Sequence, residues 1–353
     1  MQTMKAAVYM GPRQMECHDV PLPEIGPKDL LVKVMSVGIC GSDLHRYLGE
    51  LPLAVGGIMG HEYSGVVVDM GKDVADYAVG DRIVVNGLVP CHKCQMCRLG
   101  FPNLCSHLAP GSTGAYAQYT RVNTDAQIIK FSEKVPFEIA QFAEPLSVAT
   151  RTVRKAKIDF NDIVVIEGAG AIGLLTLSVA RTLPVKMIIQ TDVAENRLAI
   201  AKKLGADYTI NTAGMSGEEV LDAVAAIPGV GKDRHGSYHI SPNVDVVLET
   251  AGAPVTTELA FRMARGGGRI VLTAYVGKPV TLNPNILPQK EISIESVFAY
   301  VNEYPQTMML MESGKLNLKE IITHHYPLEK CQEAFEMQMN REQSVKVVFD
   351  AAS

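Results

Sequence analysis

The chain has no apolar run long enough to cross a bilayer. Its longest, near residues 171–180, falls far short of the ~20 residues a spanning helix needs. Residues Met1 to Met10 hold no apolar export-type core and run directly into a strand-like segment, so a soluble, cytoplasmic protein is expected. An excess of one charge is also lacking. A formal net charge of -5 over 353 residues gives nucleic acid or an anionic membrane little to hold, and neither is expected as a partner. No internal repeat or low-complexity tract appears. Cysteine is scarce, with seven in all, five of them in two clusters. An odd count with C-x-x-C clustering argues against a disulfide framework and for thiolates on metal. Cys17 and Cys331 stand apart from the clusters and are read as inert small hydrophobes or surface thiols.

What is present is ordinary globular material, 47% hydrophobic and 20% charged. At about 100–200 residues per domain, the length suggests two domains. Residues 1 to about 145 read as short β segments separated by Gly, Pro and Asp, such as 29–37, 63–69 and 81–85. From about 160 to 275 the rhythm becomes strand, helix, strand, helix. Short apolar strands at 163–167, 187–191, 208–210, 244–249 and 269–273 alternate with helices at 171–183, 195–204, 218–226 and 255–264. That alternation predicts an α/β fold with a doubly wound parallel sheet. Beyond it come a strand at 292–298, a helix from Tyr304, a helix at 328–339 and a strand-like end at 344–349. The polar, Gly-rich stretch 228–242 reads as an exposed loop.

Cys91, Cys94, Cys97 and Cys105 follow C-x2-C-x2-C-x7-C. Four thiolates close a tetrahedral shell and leave no position for substrate, which is the requirement of a structural zinc. The alternative, a redox C-x-x-C pair, needs a thioredoxin-like βαβ setting that is absent here. A second set joins Cys40 to His61 and Glu62. Three ligands of mixed type plus one exchangeable position make a catalytic zinc. His61 alone would be read as a satisfied core histidine. It gains weight from Gly60, which permits a tight turn, and from the separate cysteine set in a chain that also carries a nucleotide motif.

That motif is Gly168-Ala169-Gly170-Ala171-Ile172-Gly173, directly after one strand and opening a helix, as a dinucleotide site requires. The glycines allow the tight turn and close approach to a pyrophosphate at the helix N-terminus. Asp192 ends the next strand, nineteen residues past Gly173. A carboxylate there accepts hydrogen bonds from ribose hydroxyls and repels a 2′-phosphate, favouring NAD over NADP. Arg197 keeps an NADP reading open, although its helical position equally suits a solvated charge.

These motifs together resemble the zinc-dependent medium-chain dehydrogenases, and most of all their polyol (sorbitol) dehydrogenase branch. The resemblance runs nearly end to end. It covers Gly38-Ile39-Cys40-Gly41-Ser42-Asp43-Leu44-His45, Gly60-His61-Glu62, the four-cysteine lobe and Glu144-Pro145-Leu146-Ser147-Val148. It continues through the glycine motif with Asp192, Phe298-Ala299-Tyr300 and Tyr326-Pro327-Leu328-Glu329-Lys330. It implies a GroES-like β-rich catalytic domain over residues 1–147, completed by about 290–353, and a Rossmann domain over 148–289. It implies NAD and two zinc ions per chain, a small-molecule alcohol or ketone as substrate, and a homotetramer or homodimer. By the same resemblance Cys40, His61 and Glu62 ligate the catalytic zinc, and Glu144 either ligates it or holds its water. Gly168, Gly170, Ile172, Gly173, Asp192, Arg197 and Phe298 surround the cofactor. Ser42 and His45 relay the proton released when zinc lowers the pKa of the substrate hydroxyl; the alternative for both is ordinary loop polarity.

The chain departs from that branch at four places. Sorbitol-type members carry Phe-Arg-Tyr where Phe298-Ala299-Tyr300 stands, so sorbitol itself is put in doubt while Tyr300 remains to bond a substrate oxygen. Arg46 takes the place of a tyrosine after the relay histidine, and either binds an anionic substituent such as a sugar phosphate or reaches out to solvent. Ala171 replaces the more usual proline, with no expected loss. The stretch 228–242, with His235, Tyr238 and His239, is longer than its counterpart and is expected to be a surface insertion rather than a third metal site. The expected activity is oxidation of a secondary alcohol of a polyol, sugar alcohol or cyclitol. The alternatives are 2,3-butanediol, L-threonine or a polyol phosphate as substrate, a non-catalytic NAD- and zinc-binding redox sensor, and a zinc-free quinone reductase.

Overall fold

A computed structural model describes residues 2–235 and 239–352. The chain divides into two compact units. One joins Met1–Ser147 to Val301–Gly314 and Ile322–Ser353; the other joins Val148–Tyr300 to Lys315–Ile321. Among the described residues, no helix is long and apolar enough to cross a membrane.

The first unit is built on a seven-stranded sheet. Its order is Ile322–Tyr326, Lys346–Phe349, Asp29–Gly38, Glu62–Met70, Arg82–Val85, Ile128–Lys130, with Tyr119–Asn123 also pairing to Asp29–Gly38. Leu30, Val32, Val34, Val67 and Ile83 are fully buried, and Tyr116, Phe335 and Phe349 pack into the same core. Burying side chains of this size contributes about 1.5–3 kcal/mol each before entropy is counted. The register then fixes the chemistry. Gly38 lies opposite Glu62 on one side and Val348 on the other, with Cys40 two residues on. Three segments far apart in sequence thus meet at one end of the sheet.

The second unit holds a six-stranded, all-parallel sheet in the order Tyr208–Asn211, Met187–Asp192, Ile163–Glu167, Val244–Glu249, Ala264–Leu272, Ser293–Ser296. Numbered along the chain this is 3-2-1-4-5-6, the Rossmann order, with its switch point between Ile163–Glu167 and Val244–Glu249. The central strands are near-continuous apolar runs because helices cover both faces. The α/β doubly wound expectation is therefore met, together with a β-rich partner unit.

One expectation is corrected. The stretch 228–242 is not an exposed loop throughout. Lys232–His235 and His239–Pro242 pair as an antiparallel hairpin, with Val230 and Ser241 buried at its foot. The strand Lys232–His235 is wholly polar, so main-chain pairing leaves no alternation in the sequence to reveal it. Tyr238 and the side chains of His235 and His239 lie outside the described residues, and with them the expectation about a third metal site.

Candidate metal centres and dinucleotide site

The four-cysteine lobe is a short turn-rich segment in which Cys94 begins the one-turn helix Gln95–Arg98 and Cys105 follows a 3-10 turn at Pro102–Leu104. All four sulfurs lie within 4.8 Å of one another, with Cys94 at 3.5 Å from Cys97 and 3.8 Å from Cys105. A tetrahedral zinc with Zn–S bonds of ≈ 2.3 Å sets its ligands about 3.8 Å apart, so the donor set fits that ion. Main-chain N–H groups of Cys91 and His107 both donate to the Cys105 sulfur at 3.3 Å. The N–H groups of Cys97 and Ser106 bring the Cys94 thiol down to about 6. Burial, with Cys94 and Cys105 alongside, pushes Cys97 up to about 12. Crowded thiols repel further ionisation, and a cation at their centre removes that conflict.

The second cluster is assembled differently. Cys40 sits at the N-cap of the helix Gly41–Tyr47 in extended conformation. Gly60 adopts φ 97°, and a Cβ there would stand 2.8 Å from both the main-chain N and the ring of Tyr116, so only glycine brings His61 into place. Glu62 opens the strand Glu62–Met70. One donor atom each from Cys40, His61 and Glu62 lies within 4.8 Å of the others. A sulfur, an imidazole nitrogen and a carboxylate oxygen form the mixed set that zinc accepts with a position to spare.

Charged groups missed by sequence reasoning surround this cluster. Asp43, 1% exposed, accepts a 2.6 Å hydrogen bond from the Tyr116 hydroxyl and stands 3.7 Å from His61 Nδ1. Lys346 and Glu62 form an ion pair with each side chain 2% exposed, and Lys346 Nζ also donates to the Ile39 carbonyl at 3.0 Å. Gln141 is fully buried, and its Oε1 has no hydrogen-bond partner among the described residues. At Gly38 a Cβ would come within 2.5 Å of that Oε1 and 2.8 Å of Glu62 Oε2, so the glycine leaves room for both. Burial opposes the charged form of His61, but Asp43, Cys40 and Glu144 outweigh it and hold the imidazole well above its ordinary range. Burial likewise opposes the Lys346 ammonium, and Glu62, Cys40 and Glu144 reverse its effect. Burial raises the Cys40 thiol, and the Glu62 charge adds to it. A strongly anionic, largely buried donor set is a fit for a divalent cation. Signals for these residues exist in hindsight: Lys346 interrupts the apolar run Val345, Val347, Val348 in a strand buried at every position.

The other candidate residues of this unit fall as follows. Glu144, in the first turn of the helix Ala143–Ala156, stands outside the 4.8 Å set while its charge reaches His61 and Lys346. Ser42 is half-buried in the first turn of Gly41–Tyr47, and His45 Nδ1 bonds Glu50 Oε2 at 2.5 Å. Arg46 Nη1 lies 3.4 Å from the Ser42 carbonyl and 3.7 Å from Asp43 Oδ1, with the side chain 35% exposed.

In the second unit the glycine motif opens the helix Ala171–Ala180 with Gly170 at its N-cap. Gly173 packs where a Cβ would lie 1.9 Å from the Gly168 carbonyl, whereas a Cβ at Gly170 would meet only Arg197 Nη1, at 3.8 Å. Two glycines therefore serve packing and the middle one leaves open space for a ligand. Ile172 lies half-buried in the first turn. Asp192 accepts N–H bonds from Ala169 at 2.6 Å and Ala194 at 2.8 Å, which fixes its carboxylate beside the motif. Glu249, absent from the sequence-based set, is fully buried and accepts from the N–H groups of Ala251 and Gly252, holding the loop against which Gly168 packs. Phe298 is 60% exposed, Ala299 adopts the left-handed φ of 52°, and Tyr300 is buried.

The arrangement defines a class: a Rossmann unit with a dinucleotide motif, joined to a β-rich unit with one closed and one open metal-donor set. Residues 26–133 match the alcohol dehydrogenase GroES-like domain, and residues 171–313 match the zinc-binding dehydrogenase family. The sorbitol dehydrogenase of Bacillus subtilis (strain 168) is 34% identical over 347 residues, covering 95% of this chain and 93% of that protein. A zinc-binding dehydrogenase from Sinorhizobium meliloti 1021 bound to NADP superposes with a TM-score of 0.88 at 29% identity, over 99% of both chains. An alcohol dehydrogenase from Escherichia coli CFT073 complexed with NADH gives 0.88 at 27% identity, again over 99% of both. The chain belongs to the zinc-dependent medium-chain (alcohol) dehydrogenase family. As a member it is an oxidoreductase acting on CH–OH groups with a nicotinamide cofactor.

Proposed function

We propose that the protein interconverts a secondary alcohol of a polyol, sugar alcohol or cyclitol with its ketone, using NAD and two zinc ions per chain. The observation that carries this reading is the meeting of Cys40, His61 and Glu62 within 4.8 Å, apart from the all-sulfur set of Cys91, Cys94, Cys97 and Cys105. The likeness to a sorbitol dehydrogenase over 95% of the chain supports the substrate class. Residues 1–147, completed by about 290–353, are the catalytic domain and 148–289 the NAD-binding domain. A homotetramer or homodimer in the cytoplasm completes the proposal.

When bound, zinc would supply Lewis acidity to the substrate hydroxyl and NAD would supply the hydride acceptor. Cys40, His61 and Glu62 would hold that zinc, with Glu144 as a further ligand or holding its water. Ser42 receives the hydroxyl proton and His45 passes it on, while Glu50, 2.5 Å from His45 Nδ1, steadies the ring. Tyr300 bonds a substrate oxygen. Gly168, Gly170, Ile172 and Gly173 line the pyrophosphate, and Phe298 borders the cofactor. Asp192 selects NAD by accepting the ribose hydroxyls, with its carboxylate pre-set by two N–H groups. Arg197, nearest Gly170, is the residue through which NADP would bind.

The test is a panel of polyols, cyclitols, 2,3-butanediol, L-threonine and polyol phosphates, followed by NADH absorbance with metal analysis of the same sample. Turnover of a polyol or cyclitol by a protein with two zincs is expected; turnover of threonine alone, or one zinc per chain, would sink the reading. Asp192→Ala should narrow the preference for NAD over NADP by roughly tenfold to a hundredfold, since a charged hydrogen bond to ribose is worth ≈ 1.5–3 kcal/mol. Unchanged selectivity would move the ribose contact elsewhere.

A further inference from the structure

The Glu62 carboxylate belongs to two arrangements at once. It lies within 4.8 Å of the Cys40 and His61 donor atoms, and it is ion-paired to Lys346, with both side chains 2% exposed. The ammonium is held in place on its other side by the Ile39 carbonyl at 3.0 Å, next to Cys40 itself. The carboxylate is packed closely against the chain at Gly38, where a Cβ would come within 2.8 Å of Oε2. An ammonium and a zinc ion both draw on the charge of the one carboxylate, so a fixed buried ammonium weakens it as a metal ligand. Charge counting points the same way. One thiolate with the carboxylates of Asp43, Glu62 and Glu144 exceeds the charge of a divalent ion by two, and Arg46 beside Asp43 and Lys346 beside Glu62 supply the balance.

From this geometry we infer that Lys346 is a positioning residue that keeps Glu62 a weak ligand, leaving a zinc position open for substrate. The inference rests on the reading of zinc at Cys40, His61 and Glu62. It makes a prediction of unusual sign. Removing a buried partner from a merely structural ion pair loosens the site, whereas here it frees Glu62 to hold zinc harder.

The experiment follows zinc release from the full-length holoenzyme into a chromophoric chelator. Cys40→Ser identifies the release phase that belongs to this site. Lys346→Met should slow that phase by roughly tenfold, the scale on which outer partners alter metal affinity. In the Co(II)-substituted protein, the same variant should shift the visible absorption toward higher coordination. Lys346→Arg should keep the wild-type rate, and in a Glu62→Gln background Lys346→Met should have no further effect. If the Cys40-dependent phase in Lys346→Met is equal to or faster than wild type, or if the variant fails to fold while Lys346→Arg releases zinc more slowly, this inference falls and the site reading stands. If wild type holds one zinc and Cys40→Ser keeps it, the site reading itself falls and takes this inference with it.

Discussion

Cys91, Cys94, Cys97 and Cys105 come from one short segment and are surrounded by main-chain N–H groups; Cys40, His61 and Glu62 come from a helix cap, a glycine turn and a strand, surrounded by buried charge. Both clusters lie in the same unit and both are suited to zinc. The first needs nothing beyond local chain geometry, because N–H dipoles stabilise thiolates and four sulfurs leave no vacancy. The second needs the sheet. Its donors are set by the register that puts Gly38 against Glu62 and Val348, and its charge is balanced by Lys346 from a distant strand. A closed site can be written in a motif, while an open one is written in a fold.

That contrast can be broken by single substitutions. Cys40→Ser should abolish turnover and one zinc while leaving the thermal midpoint nearly unchanged, read by metal analysis and calorimetry; loss of both zincs would mean the clusters are not independent. Cys94→Ser should do the reverse, losing the other zinc and lowering the midpoint by about 3–6 °C, the scale of a kcal/mol or two in a protein of this size. Retained zinc or an unchanged midpoint would deny the lobe its structural role. Gly38→Ala sharpens the comparison with the smallest change. Its methyl would stand 2.5 Å from Gln141 Oε1 and 2.8 Å from Glu62 Oε2, an overpacking that costs about 1–3 kcal/mol. It should loosen only the zinc of the open site, and equal loosening of both in a chelator titration would show the strain spreading through the unit.

The sequence is most legible where one local rule governs. The strands Ile163–Glu167 and Val244–Glu249 were legible to the residue because both faces of a parallel sheet are covered and the strands read as apolar runs. The four cysteines and the glycine motif were legible because metal and pyrophosphate impose fixed spacing. The hairpin at 232–242 was not, since Lys232–His235 carries no apolar face. Nor were Asp43, Gln141 and Lys346 as neighbours of the open site. Lys346 shows in the sequence only as a break in an apolar run, and its pairing across 284 positions with Glu62 shows what it does. The 3.7 Å approach of Arg46 to Asp43 was not legible either, because no local pattern reveals the burial of Asp43.

The distance along the chain between Glu62 and Lys346 has a meaning during synthesis. The four-cysteine lobe has every donor within a few turns of chain and can take its metal while the rest is still being made. The open site cannot reach its final state so soon, because 284 residues separate the carboxylate from its ammonium. At about 5–20 residues per second, that interval is roughly 15–60 s. During it Cys40, His61 and Glu62 have no Lys346 beside them, and the pairing of Gly38 with Val348 is not yet made. The ammonium we infer to temper Glu62 is thus among the last parts of the site to arrive, with the strand Lys346–Phe349.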